Sequence, residues 1–69
     1  MNLVLRSQNL QRQSLQGRDL SRSDFSGVNL SGADFTYAIL DGADFSHADL
    51  RGTNFRRTSL VGANLNLFT

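Results

Sequence analysis

Ala33-Asp34-Phe35-Thr36-Tyr37, Ala38-Ile39-Leu40-Asp41-Gly42, Ala43-Asp44-Phe45-Ser46-His47 and Ala48-Asp49-Leu50-Arg51-Gly52 are four consecutive five-residue units built on one template. Working outward from them, Leu or Phe recurs at every fifth position without a gap from Leu5 to Leu65, thirteen centres in all. All six glycines fall two residues after a centre, and all five alanines two before one. Asp or Asn directly precedes nine of the thirteen centres. Registers this selective make the repeat, rather than local propensity, the primary signal.

A period of five suits neither common element. On an α-helix, residues five apart advance about 140° beyond a full turn, so the Leu/Phe set spirals around the cylinder. On a flat strand an odd period sends successive centres to opposite faces. The pattern buries its centres only if the chain bends once per repeat. Gly two residues past the centre supplies positive φ for that bend. Ala two before the centre fits an interior corner, and Asp or Asn before the centre faces water and braces the turn by side-chain to backbone hydrogen bonds.

The four quoted units resemble the A(D/N)LXX consensus of pentapeptide-repeat proteins. The resemblance extends over residues 3–65 by central position, and over 23–63 in nearly every register. It implies an all-β fold, a right-handed quadrilateral β-helix of about three and a half coils with four pentapeptides each, formed by residues 1–69 as a single solenoid. Residues 1–22 are expected to be its less regular end, because Gln8, Gln13 and Arg18 occupy the small interior position. Residues 66–69 are the other end, without a capping helix.

With four repeats per coil, residues twenty apart stack, and four columns follow. Wall 1 carries Leu5, Phe25, Phe45 and Leu65; wall 2, Leu10, Leu30 and Leu50; wall 3, Leu15, Phe35 and Phe55; wall 4, Leu20, Leu40 and Leu60. Every central Phe falls on wall 1 or wall 3, so two opposed aromatic walls with Leu between them are expected, each stacking along the axis.

Composition narrows the function. The chain has no cysteine and one histidine, which removes disulfides and thiolate metal sites. No metal and no cofactor is expected. Seven Arg face six Asp for a net charge of +1, distributed as an acidic middle (residues 23–50) between two basic ends. The Met1 to Leu15 segment has no apolar h-region and no stretch reaches membrane-spanning length, so a cytoplasmic protein away from membranes is expected.

Catalytic constellations are missing. His47 lies at an outward turn position, the serines follow the centres as turn residues, and the Asp spacing is dictated by the repeat. A phosphate loop needs a lysine, and there is none. The chain is therefore read as no enzyme.

Departures from the template on the outer surface carry more. Tyr37 stands where Gly is usual, and Ile39 where Asp or Asn is usual. One coil away lie Arg57, over Tyr37, and Val61, over Asp41. Tyr37, Ile39, Arg57 and Val61 form a candidate protein-binding patch of Arg–aromatic composition. Leu67 and Phe68 are candidates for end capping or a dimer contact, since a solenoid end exposes unpaired backbone.

The expected function is a non-catalytic scaffold or protein-interaction module, with a protein partner and a homodimer through a solenoid end as the expected associations. The resemblance implies one alternative, a mimic of duplex DNA that binds type II topoisomerases and protects or inhibits gyrase. Nucleic acid itself is not expected as a partner, because Arg51, Arg56 and Arg57 have Asp41, Asp44 and Asp49 nearby.

Overall fold

The computed structural model describes residues 3–67. The backbone turns at every fifth residue, and its pairing repeats every twentieth. Parallel bridges join Val4 to Asp24, Asp24 to Asp44 and Asp44 to Asn64 on wall 1, and the other walls pair in the same way. Four turns per twenty residues make each coil four-cornered. Three coils and the start of a fourth are stacked in a body of 27 × 22 × 17 Å.

No continuous strand is formed among the described residues. Each wall holds a single bridging residue per coil, and no helix or longer strand occurs among the described residues. The reason lies in the repeat. Only three residues separate one turn from the next, too few for an extended ladder before the chain bends again.

The bend itself is a β-turn closed across the corner. The Phe35 carbonyl accepts from the Ala38 N–H at 2.8 Å, and the Phe25 carbonyl from the Val28 N–H at 3.1 Å. Its third residue has positive φ throughout: six glycines do so at +68° to +71°, and Ser7, Arg12, Arg22, Tyr37, His47 and Arg57 do so at +55° to +63°. Side chains in this region cost about 1–2 kcal/mol each. The coil geometry therefore overrides residue preference at half of its corners.

Asp and Asn brace the corners as expected. Asp24 Oδ1 accepts from the Ser26 N–H at 3.0 Å and from the Ser26 hydroxyl at 2.6 Å, and Asn29 accepts likewise from Ser31 at 3.1 and 2.9 Å. These contacts hold the Asp24 carboxyl below its ordinary range, the Ser26 hydroxyl contributing most and its N–H next. Asp34 is lowered in the same way by Thr36, and Asp19 by Ser21.

Between coils, each repeat makes three backbone hydrogen bonds of fixed polarity. Phe25 N–H donates to the Asp44 carbonyl at 2.7 Å, Gly27 N–H to the Ser46 carbonyl at 2.8 Å, and Asp44 N–H donates back to the Ser23 carbonyl at 2.9 Å. A coil thus turns two N–H groups and one carbonyl per repeat toward its successor. Toward its predecessor it turns one N–H group and two carbonyls.

The core is aromatic along its axis. Phe25 stacks on Phe45 with centroids 5.1 Å apart, and Phe35 on Phe55 at 5.5 Å. Leu walls stand between the Phe walls around the circuit, as the columns require, yet at the axis the two aromatic stacks also touch each other directly. The stacks meet edge to face at 5.7, 6.1 and 6.0 Å, because a Phe ring from either wall reaches the centre of so narrow an interior. Leu30 and Leu40 fill the remaining walls, fully buried. The small interior position is occupied by buried Ala33, Ala38, Ala43 and Ala48, and by Val28 and Ser23, which the repeat pattern did not single out.

At residues 4–22 the turns and bridges keep the same spacing as elsewhere. The side chains differ: Gln8, Gln13 and Arg18 are exposed where the next coil buries Val28, Ala33 and Ala38. In the last complete coil Thr53 and Thr58 hold that position, their hydroxyls donating to the Leu30 carbonyl at 2.9 Å and the Phe35 carbonyl at 2.7 Å.

Candidate interaction wall

Wall 4 is the surface on which the departures from the template converge. Its outward column is Asp19, Ile39 and Ser59, joined by successive bridges. The corner leading into it stacks Gly17, Tyr37 and Arg57, and the corner leaving it carries Asp41 and, one coil on, Val61.

Tyr37 owes its position to the turn. Held at φ +63°, it projects outward from the corner and remains 62 % exposed. Gly17 stands one coil below, with open space around it. One coil above, the Arg57 guanidinium carbon lies 5.8 Å from the Tyr37 ring centroid. At that distance the cation is attracted by the ring face. Tyr37 and Arg57 are the one stacked pair of non-glycine residues at positive φ among the described corners.

Ile39 and Val61 complete the wall. Ile39 is 42 % exposed and Val61 74 %, so both present methyl groups to water. Asp41 Oδ1 accepts from the Val61 N–H at 3.1 Å and from the Ser59 hydroxyl, which fixes the rim beside Val61. All four patch residues named from the sequence thus lie on wall 4 or its two corners, with the Tyr37–Arg57 contact formed.

The two end residues are divided. Leu67 is half-buried and borders an open groove of about 500 Å³ with Ala48, Leu50 and His47. Phe68 lies outside the described residues.

Elsewhere the surface is arranged for structure. Asp49 takes both Arg51 Nε, at 2.9 Å, and Nη2, at 2.7 Å, and its carboxyl is lowered chiefly by that contact. Arg6 Nε lies 3.2 Å from Asp24 Oδ2. His47 sits on a corner at φ +60°, its backbone N–H donating to the Asn66 carbonyl at 3.2 Å. Among the described residues no group of three His, Asp or Glu side chains gathers as a metal centre requires, and no helix is long and apolar enough to cross a membrane.

No curated protein and no solved structure matches the chain. The family model described as pentapeptide repeats (8 copies) matches residues 5–36 and again residues 29–66. Those two spans cover the stacked coils from the first centre to the last, and the chain belongs to the pentapeptide-repeat family.

Proposed function

We propose that the protein is a non-catalytic scaffold that holds a protein partner against wall 4, through Tyr37, Ile39, Arg57 and Val61. The observation that carries this reading is Tyr37 itself. Its backbone sits where a side chain costs about 1–2 kcal/mol, at a corner where the repeat readily supplies Gly. Its ring stays largely in water, so the fold recovers little from it. Five other side chains share that backbone strain, and what distinguishes Tyr37 is an exposed ring set beneath the Arg57 guanidinium and beside Ile39. Aromatic and Arg side chains flanked by aliphatic ones are also the composition of binding hot spots.

A right-handed quadrilateral β-helix, the family's usual form, suits this role. Such a coil is rigid, and rigidity lets a small patch bind without further ordering cost.

A photo-crosslinking residue placed at position 39 tests the reading against one at position 29 on wall 2. Capture of one protein species at 39 and not at 29, lost on Tyr37→Gly, is the expected result. Equal capture at both positions, or none, overturns it.

The DNA-mimic alternative has weaker support. A duplex mimic needs rows of carboxylates on one side, whereas Asp24 and Asp44 are on wall 1, Asp49 on wall 2, Asp34 on wall 3 and Asp19 on wall 4. A gyrase supercoiling assay showing neither inhibition nor protection disposes of it.

A further inference from the structure

Wall 4 carries a pattern that is its own complement. Seen face on, it has two edges and three levels, one level per coil. The edge at the corner entering the wall reads Gly17, Tyr37 and Arg57 from the first level to the third. The edge at the corner leaving it reads Arg22, Gly42 and Gly62. Between the edges stand Asp19, Ile39 and Ser59. Each edge thus has an arginine at one end level and a glycine at the other. Around Gly17 and Gly62 nothing lies within 4 Å of an added Cβ, so both are hollows.

Charge follows the same plan. Arg57, exposed on the third level, makes no ion pair among the described residues, and its guanidinium carbon stands 5.8 Å from the Tyr37 ring centroid. Asp19 is exposed on the first level, its Oδ1 accepting from the Ser21 N–H at 3.2 Å and hydroxyl at 2.8 Å. The middle level, between cation and carboxylate, presents the apolar surface of Tyr37 and Ile39.

We infer, on the reading of wall 4 as the interaction surface, that the partner it meets is a second copy of this chain, docked wall to wall with its coil order reversed. The twofold axis crosses the wall at the level of Ile39. It exchanges the first and third levels and sets each edge against itself. Arg57 of one copy then enters the hollow at Gly17 of the other, beside that copy's Asp19. Arg22 enters the hollow at Gly62, its stem against Val61. Ile39 meets Ile39 at the centre, and Tyr37 meets Tyr37.

Asp41 facing Asp41 is the like-charged meeting in this arrangement. Its Oδ1 is turned along the wall to the Val61 N–H and the Ser59 hydroxyl, and Arg22 packs against Gly42, the next residue in the chain. A twofold axis running along the coils fills the same hollows but sets each Ile39 against Asp41. That would desolvate a carboxylate on a methyl surface, so the reversed order is favoured. One side of a body of 27 × 22 × 17 Å falls short of the roughly 800 Å² per partner of a standard interface, so the dimer is weak and reversible.

Charge exchange in the purified 69-residue chain tests this. Sedimentation equilibrium up to millimolar concentration should show the mass rise from 7.6 kDa toward twice that value and stop there. Added salt should reverse the rise, because the Arg–Asp pairs at the rim are screened. Arg57→Asp and Asp19→Arg should each weaken self-association about tenfold. Aspartate tolerates the left-handed corner at position 57. An equimolar mixture of the two variants should recover it, since both joints of the mixed pair again oppose a cation to a carboxylate. Ile39→Cys should oxidise to a linked homodimer about tenfold faster than Asn29→Cys on wall 2, a readout that stands even where a charge variant fails to fold. A wild-type chain that stays monomeric, a mixture no more associated than its components, or equal oxidation at the two positions overturns the proposal. If the purified chain is monomeric while a crosslinker at position 39 still captures another protein in cells, the second copy is excluded and wall 4 remains an interaction surface.

Discussion

The guanidinium of Arg57 rests over the ring of Tyr37 across one coil, and both residues hold the positive φ that half of the corners give to glycine. The contact and the strain therefore belong to the same two backbones. An exposed cation–π pair contributes about 0.5–1 kcal/mol, less than the cost of two left-handed side chains. A double-mutant cycle with Tyr37→Gly and Arg57→Gly should return a coupling of about 0.5–1 kcal/mol in urea unfolding, the range of an exposed pair. No coupling would mean that the two side chains do not meet in solution.

Gly42 and Gly62 stand on the same corner column, yet they should respond differently to Ala. Both have φ near +70°, so each substitution carries the left-handed cost of about 1–2 kcal/mol. At Gly62 nothing lies within 4 Å of an added Cβ, whereas at Gly42 it meets Arg22 Cγ at 3.0 Å. Gly42→Ala should be the more destabilising by a few tenths of a kcal/mol, about the cost of a flexible side chain moving aside. Adding Arg22→Ala should erase the difference, read by thermal unfolding of the three variants.

Phe35 touches three other rings and has no exposed surface. Phe35→Ala should remove about 3–5 kcal/mol. A chain of this length has a total stability of roughly 3–10 kcal/mol, so the variant should be partly unfolded at 25 °C. Phe55→Ala, at a half-buried site on the last coil, should cost visibly less in the same denaturant titration.

Acid should loosen the coil through its bracing carboxylates. Asp19, Asp24, Asp34 and Asp49 are held lower in the folded chain than in the unfolded one. Their contribution is fully present above the unfolded value of about 3.9 and is lost as pH falls through the lower folded values. The urea midpoint should therefore be level from neutrality down to about pH 5 and decline below about pH 4. Ser26→Ala should raise the Asp24 value toward the ordinary carboxylate range, followed by carboxyl NMR titration, while Asp34 stays where it is.

Leu and Phe at every fifth residue were enough to place the core and the corners, because burial of a periodic apolar set admits few chain paths. The same pattern placed Tyr37 beside Arg57 and set Ile39 on the wall between Tyr37 and Val61. Two features escaped it. The ring-to-ring contact at the axis depends on the width of the interior, which no spacing records. Positive φ at Ser7, Arg12, Arg22 and His47 contradicts their own preferences and follows only from the coils above and below. Ser23 and Val28 were missed because the pattern expects Ala at their position, although both fit the interior without exposure.

Every bridge joins residues twenty apart, so the molecule works as a screw thread with a fixed pitch. An insertion of twenty residues at a corner lifts everything after it by one strand spacing, about 4.8 Å, and leaves each wall facing its former direction. An insertion of five turns the later walls to a new bearing at almost the same height. Duplication in such blocks can aim a surface and set its elevation separately, without redesigning a single core residue.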